Sequence, residues 1–273
     1  MRLTRAVLTA VGMLTAATAS ATDLPTKKET PAPIPEPVLP STWRFEITGY
    51  GWGAGLTGNA GIGGFPTVPF YASLRTVLEH LEGVLMGSII ARNGTFIGGL
   101  DLIWTRLEES VTLDNPSSPV HGAEADIKLG ETIVTGFGGV RIPVGPPNLE
   151  LYGTLGARYL AVHSSVTLTT EVFGFERSAS ATKNWIDPVV GFAAQYRIDP
   201  KWFVNTQADI GGLSDSATGQ ALGAVGYNWT PSIATTLGYR VLYAYRKDDN
   251  AANGSFRLQQ WMYGPFAALK HSF

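Results

Sequence analysis

The chain has 273 residues, enough for one or two domains, with 20 basic and 22 acidic side chains and a formal net charge of −2. It contains no cysteine, which excludes disulfide bonds, thiolate metal sites and a cysteine nucleophile. The charge balance offers no basic surface for nucleic acid, and 32 glycines with only 15% charged residues argue against a helical bundle.

The first residues have the layout of a secretory signal peptide. Arg2 and Arg5 precede an apolar run over residues 6–17, which is too short to span a bilayer, and small residues that suit cleavage follow it. The sequence therefore predicts that residues 1–21 are a signal peptide that is removed on export.

A proline-rich segment follows the predicted cleavage site. Residues 22–42 contain six prolines and few bulky side chains, a composition typical of a solvated, extended linker. We expect this segment to be disordered in the periplasm, and to lead into a domain over residues 43–273.

Alternation of apolar with polar or small residues dominates that domain. Leu237, Tyr239 and Val241 share one parity, whereas Gly238 and Arg240 share the other, and a strand places the two sets on opposite faces. No apolar stretch is long enough for a membrane-spanning helix. The pattern predicts an all-β fold, a transmembrane antiparallel β-barrel with its apolar face toward lipid and its polar face toward the lumen.

Turn residues give the number of strands. Short turns are predicted at 92–94, 143–148, 199–200 and 230–232. Longer connections are predicted at 57–83, 109–126, 170–181, 214–219 and 247–255. Four turns and five loops give ten strands with both termini in the periplasm, and eight strands is the alternative. The predicted strands are 43–56, 84–92, 95–108, 127–142, 148–169, 180–198, 201–213, 219–229, 233–246 and 256–273.

The first long connection carries a helical pattern. Leu74, Val77, Leu78, Leu81 and Leu85 recur at the spacing of an amphipathic helix. Two interpretations stay open. The helix either enters the barrel mouth and constricts it, or caps the rim and lies at the membrane interface.

Charged residues of both signs occupy the predicted lumen face. They are Arg44, Glu46, Asp101, Arg158, Asp187, Arg197, Asp209 and Arg240. Charges inside a narrow barrel are costly unless they pair, so we expect a network of arginine with carboxylate that fills the lumen. The alternative is a thin aqueous path with weak ion selectivity.

Aromatic residues cluster near the predicted strand ends, where the headgroup zone favours them. They are Trp43, Trp104, Tyr152, Tyr159, Trp185, Tyr196, Trp202, Tyr227 and Trp229. The chain ends at Phe273, with Leu269 and Trp261 on the same face, which resembles the terminal signal read by the outer-membrane assembly machinery. The expected partners are therefore that machinery, the lipid bilayer and lipopolysaccharide.

Several motifs after residue 42 carry a family resemblance over most of the chain. They are Trp43, Tyr50-Gly51-Trp52, Gly58, LRTVLEHLEGVLMGSIIARNGTFIGGLDLIW at 74–104 and WIDPVVG at 185–191. In these motifs the chain resembles a group of proteobacterial outer-membrane β-barrel proteins, porin-like or opacity-type small barrels. The resemblance implies a barrel in the outer membrane of a Gram-negative bacterium, and it brings no substrate or catalytic residue.

One residue pair suggests an enzyme. His163 and Ser165 share a strand face near the predicted extracellular rim, which resembles the arrangement in outer-membrane lipid A deacylases. That family has an asparagine after the serine, whereas this chain has Val166.

The sequence thus favours a structural or narrow porin-like barrel that is not an enzyme. A lipid A deacylase and a surface-contact or adhesion protein are the alternatives. The four histidines lack metal-ligand spacing, and no cofactor is expected. The oligomeric state stays open.

Overall fold

The computed structural model describes residues 42–62, 68–113, 123–170, 175–249 and 255–273. Its elements are β1 (Arg44–Trp52), β2 (Gly55–Ile62), β3 (Val68–Ala72), α1 (Leu74–Glu79), β4 (Leu81–Arg92), β5 (Phe96–Leu113), β6 (Ala123–Arg141), β7 (Leu149–Thr170), β8 (Phe175–Arg197), β9 (Trp202–Gly211), β10 (Ser216–Asn228), β11 (Ile233–Asp248) and β12 (Phe256–Ser272). The predicted signal peptide and all but the last residue of the predicted linker lie outside the described residues. In these ranges no helix is long and apolar enough to cross a membrane.

Ten strands form a closed antiparallel barrel, which confirms the prediction of ten rather than eight. The hydrogen-bonded order runs from β1 to β4 and then through every strand to β12. β12 closes the barrel against β1, where Glu46 pairs with Ser272 and Trp52 pairs with Phe266. Closure gives the edge strands partners, as a sheet in lipid requires.

Two further strands, β2 and β3, correct the prediction of a long loop at 57–83. β1 covers only the part of β12 from Phe266 to Ser272, so the rest of that edge is free to pair. β2 continues the line of β1 and pairs with Phe256–Tyr263, while β3 pairs with β2.

The barrel wall is interrupted beside these extra strands. β1 pairs with β4 only between 44–49 and 87–92. Among the described strands, residues 81–86 of β4 pair with β5 alone, and β3 stands last in the strand order. We call this interruption, between β1–β3 and residues 81–86, the seam.

Four short turns lie where the sequence predicted them, and polar side chains fix three of them. Asn93 Oδ1 accepts the backbone N–H groups two and three residues ahead, at 3.1 and 2.7 Å. Asp199 makes the same pair of bonds at 2.7 Å each, and Thr230 Oγ1 does so at 3.2 and 3.0 Å. Because both Arg44 and Ser272 lie beside these turns, we call this side of the barrel the turn end.

At the opposite, long-strand end the predicted connections at 109–126 and 170–181 are too long. Leu113 pairs with Ala123, and Thr170 pairs with Phe175, so pairing continues four or five residues beyond the predicted ends of β5, β6 and β8 and one residue beyond that of β7. These strands contain 18 to 23 residues.

The two faces of the barrel wall differ in polarity as predicted. A belt of large aliphatic side chains on the outside is 47% to 71% exposed: Ile47, Leu100, Leu155, Val190, Ile210, Val225, Leu237 and Leu269. Inside, Arg158 and Asp187 are fully buried, at 0% exposure. An oily exterior around a charged interior is the arrangement of a barrel in lipid.

Candidate functional site in the barrel interior

A layer of polar side chains crosses the lumen halfway along the barrel. We call this set, Tyr50, Asp101, Arg158, Asp209, Gln220 and Arg240, the central layer. Its members come from β1, β5, β7, β9, β10 and β11. The alternation of each strand points them inward, so six strands converge on one set of contacts.

One half of the central layer is built on Arg240. Its Nη2 donates to Asp101 Oδ2 at 2.7 Å and to Gln220 Oε1 at 2.6 Å. Its Nη1 donates to the Tyr50 hydroxyl at 3.0 Å, and that hydroxyl donates to Asp101 Oδ1 at 2.7 Å. The guanidinium also lies 5.2 Å from the centre of the Trp52 ring. These contacts compensate the charge of a side chain that is 2% exposed.

The other half is built on Arg158. Its Nη2 donates to both carboxylate oxygens of Asp209, at 2.7 and 2.9 Å. Its Nε and Nη1 donate to the hydroxyls of Thr135 and Thr218, at 3.0 and 2.8 Å. Gln220 Nε2 donates to Asp209 at 2.6 Å and so connects the two halves. The layer is therefore one continuous hydrogen-bonded network.

A second polar group, the turn-end cluster, lies below the central layer. Arg92 contacts Glu46 at 2.5 Å, Gln195 at 2.6 Å and Glu150 at 3.5 Å. Lys270 adds a contact of 3.4 Å to Glu46. Between this cluster and the central layer lies a cavity of about 160 Å³.

The structure distributes the predicted lumen charges over several places. Asp101, Arg158, Asp209 and Arg240 form the central layer, and Glu46 belongs to the turn-end cluster. Asp187 accepts from the Trp185 indole at 3.1 Å and from the Ser216 hydroxyl. Arg44 and Arg197 are exposed at the turn end, because they are terminal residues of β1 and β8. Arg197 contacts Glu150 at 3.4 Å.

The predicted lumen set lacks several interior polar residues, among them Arg92, Glu131, Glu150, Gln220, Gln260 and Lys270. Each has the parity of an inward-facing neighbour on its strand: Gln220 lies two residues from Thr218, and Lys270 lies four from Phe266. The strand period was therefore a sufficient signal. Two predicted interfacial aromatics, Tyr152 and Trp185, point inward and are buried.

Above the central layer the interior becomes apolar. Leu56, Leu107, Leu129, Val162 and Leu258 line a cavity of about 280 Å³, which we call the apolar chamber. Gln260 lies in its lining and donates to both carboxylate oxygens of Glu131, at 3.0 and 3.1 Å.

The helix pattern is correct only in its first half, since α1 ends at Glu79. Leu81 belongs to β4 and pairs with Leu107 of β5, because strand pairing overrides the helical spacing there. Ser73 caps the helix by accepting the Thr76 N–H at 3.2 Å.

The helix lies in the seam, which neither predicted placement anticipated. Leu74, Val77, Leu78 and Leu81 line a small cavity of about 60 Å³ together with Trp52 of the barrel wall. Val77 packs against the interior, whereas Leu78 is exposed on the outside. The helix therefore fills a gap in the wall with its apolar side chains.

The pair suggested for catalysis lies on the outward face of β7. His163 is exposed, and its Nδ1 is 2.7 Å from the hydroxyl of Thr182 on β8. Ser165 is two residues further along the strand. This contact engages the imidazole with a neighbouring strand and gives no activation of a serine nucleophile. In the described part of the chain no group of three or more histidine or acidic residues could hold a metal ion.

Aromatic side chains surround the turn end. Trp43, Tyr196, Trp202 and Trp229 are 40% to 65% exposed there. Phe273 is also exposed, and its ring stacks on Phe45 with centroids 5.8 Å apart. This girdle matches the headgroup zone of a membrane.

No protein-family model and no curated protein matches this chain. Solved structures do match. The outer-membrane protease OmpT from Escherichia coli has a TM-score of 0.58 and 13% sequence identity, covering 88% of this chain and 99% of its own. The chain has the fold of an outer-membrane β-barrel.

Other barrels match less well. The translocator domain of the autotransporter NalP from Neisseria meningitidis has a TM-score of 0.40 and 12% identity, covering 85% of this chain and 89% of its own. Ail, the attachment invasion locus protein of Yersinia pestis, has a TM-score of 0.30 and 16% identity, covering 83% of this chain and 97% of its own. At such identities the likeness concerns the fold alone.

Proposed function

We propose that this chain is an integral outer-membrane protein of a Gram-negative bacterium with a structural role and a lumen closed to solutes. The central layer carries the proposal. Arg158 and Arg240, at 0% and 2% exposure, each make several protein contacts and do not lie along a wet channel; among the buried side-chain nitrogen and oxygen atoms of the described residues, only Arg240 Nε has no hydrogen-bond partner. A narrow porin-like pore, the alternative, would need water beside these groups.

The proposed location rests on both ends of the chain and on its outer surface. The predicted signal peptide would export the chain, and the terminal Phe273 would be read by the assembly machinery. The aliphatic belt would contact the bilayer and the aromatic girdle its headgroups, with lipopolysaccharide on the outer side. Short turns in bacterial barrels face the periplasm, so we place the turn end there.

Single-channel recording in planar bilayers tests the closed lumen. We expect no stable conductance from the refolded wild-type barrel, and flickering conductance from the variant Arg158→Ser/Arg240→Ser, in which the central layer is thinned. Arg197→Ser is the matched control, because this arginine is exposed at the turn end. Regular conductance steps from the wild-type protein would contradict the proposal.

The long strands support surface contact as a second candidate function. β7 has 22 residues, and at about 3.3 Å per residue with a tilt of about 40° it rises about 55 Å. The apolar band of such barrels is only about 25 Å high. β5–β8 would therefore project as a sheet well above the lipid, where a partner could bind.

Shortening this projection tests surface contact. Residues 106–130 would be replaced by a two-residue Asn-Gly turn that keeps the β5–β6 register, in which Thr105 pairs with Glu131. We expect intact cells that carry normal amounts of the folded, shortened barrel to lose binding to host cells or abiotic surfaces. Unchanged binding would exclude this role.

A further inference from the structure

The apolar chamber is built to hold a ligand rather than to be filled by side chains. Its volume is about 280 Å³, and a cavity of about 150 Å³ with a similar lining already holds a benzene ring. The lining comes from β2, β3, β5–β8, β12 and α1, through residues such as Leu56, Leu107 and Leu258. By that scale the chamber accommodates about eleven carbon atoms.

Charged and polar side chains in the chamber lining, among them Gln260, Lys183, Glu108 and His80, have partners. Glu131 and Gln260 form two hydrogen bonds, and both side chains are at most 8% exposed. Lys183 has its Nζ 3.1 Å from Asp248, and the Glu108 carboxylate lies 2.6 Å from Lys128 Nζ. Since these groups are satisfied, the chamber favours an apolar ligand over a sugar, peptide or nucleotide.

The seam connects the chamber to the lipid side of the wall. The small cavity beneath α1 shares four lining residues with the chamber: Leu56, Val77, Leu107 and Leu129. On the outside, Leu78, Val84 and Leu85 are 48% to 59% exposed around α1 and β4. Apolar side chains thus follow one another from the outer surface, past the helix that fills the gap, into the barrel.

The position of the seam indicates which half of the membrane it faces. Residue 86, the member of the 81–86 segment nearest the turn end, lies six residues along β4 from Arg92 at that end. At about 3.3 Å per residue and a tilt of about 40°, residues 81–86 lie roughly 15 to 28 Å above that end. This range corresponds to the half of the bilayer farther from the turn end.

We propose that the apolar chamber binds one alkyl chain of about ten to twelve carbons, which enters from the bilayer through the seam beneath α1. A free fatty acid and an acyl chain of a membrane lipid carry the same alkyl group. The central layer below the chamber stops the chain from passing through the barrel, so the site stores or presents the chain and does not conduct it.

Photocrosslinking in lipid nanodiscs tests the site with the full-length refolded protein. One probe is dodecanoic acid with a terminal diazirine, and the other is a phosphatidylethanolamine with the same group at the end of one twelve-carbon chain. Mapping by mass spectrometry separates inward residues such as Val162 and Leu258 from lipid-facing residues such as Leu155. We expect labelling of the inward residues that excess unlabelled dodecanoic acid suppresses at least tenfold.

Filling the chamber should remove this inward labelling. Ala60→Trp places a large ring in the chamber, whereas Ala221→Trp adds the same ring to the lipid-facing side of β10 and is the matched control. We expect at least a tenfold loss in the first variant and no change in the second. Val162→Trp, on a different strand, repeats the test if the first variant does not show the heat-modifiable migration of a folded barrel.

The outcomes separate the possible sources of the chain. Inward labelling by the fatty acid alone indicates a free fatty acid, and inward labelling by both probes indicates a lipid chain that enters through the seam. Labelling confined to lipid-facing residues, or inward labelling that neither competitor nor filled chamber reduces, would overturn the proposal. Channel recordings do not bear on these results, so the closed lumen and the ligand site fail independently.

Discussion

Removing the carboxylate of Asp209 should destabilise the barrel more than most single substitutions. In Asp209→Ala the Arg158 guanidinium keeps only its two threonine contacts while it stays fully buried, and Gln220 loses an acceptor. Removing one partner of a buried ion pair costs about 3–5 kcal/mol, because the remaining charge is left uncompensated. We expect the free energy of unfolding to fall by that amount.

Urea titration of the barrel refolded into phospholipid vesicles measures this change, with tryptophan fluorescence as the signal. Glu79→Ala is the control, since the Arg75–Glu79 pair lies on exposed side chains and should contribute at most about 0.5 kcal/mol. The double variant Arg158→Met/Asp209→Leu removes both charges and should be more stable than Asp209→Ala by about 2 kcal/mol or more. A loss below about 1 kcal/mol in Asp209→Ala would show that water reaches Arg158, and would refute both the buried layer and the closed lumen.

Three further predictions concern other parts of the barrel. Gly226→Ala should lower the free energy of unfolding by about 1–3 kcal/mol, because the new Cβ would lie 2.2 Å from Phe203 Cζ. Gly223→Ala, on the same strand, is the control: its new Cβ meets nothing within 4 Å, so the same urea titration should show no change. Asn93→Ala removes two hydrogen bonds from the first turn and should lower the free energy of unfolding by about 1–2 kcal/mol; equal stability would mean that the turn forms without the side chain. Deleting residues 74–82 should leave the barrel electrically silent in planar bilayers, because the central layer lies below the seam; conductance on deletion would instead identify α1 as the constriction.

The strands could be predicted from this sequence because the turn residues and the two-residue alternation of the strands indicate the same boundaries. Asn93, Asp199 and Thr230 each mark a turn through the same side-chain bonds, and the strand ends next to these turns lie within one residue of the predicted ends. The strand period also indicates the correct, inward orientation of Trp185, because this residue lies two positions from the buried Asp187. The preference of aromatics for the headgroup zone suggested the opposite, so the local period was the better guide at this position.

The seam and the apolar chamber were not predictable in the same way. β2 reads GLTGNAGI, in which small residues hide the alternation, and its pairing depends on how much of β12 the first strand leaves free. The helix pattern through Leu81 and Leu85 is ambiguous until pairing with β5 is known. Both features arise from contacts between distant parts of the chain, which a local pattern does not encode.

The central layer also bears on how the strands find their register. Its side chains come from β1, β5, β7, β9, β10 and β11, and a slip of one residue would turn such a side chain from the lumen to the lipid. An arginine on the lipid face near the middle of the bilayer costs about 2–4 kcal/mol. Arg158 and Arg240 therefore raise the free energy of any state in which β7 or β11 pairs out of register. This holds even if the buried ion pairs add little net stability to the native barrel. The charge-free variant Arg158→Met/Asp209→Leu separates these effects: it should keep most of its equilibrium stability but refold in lower yield, with the shortfall in species that lack the heat-modifiable migration of the closed barrel.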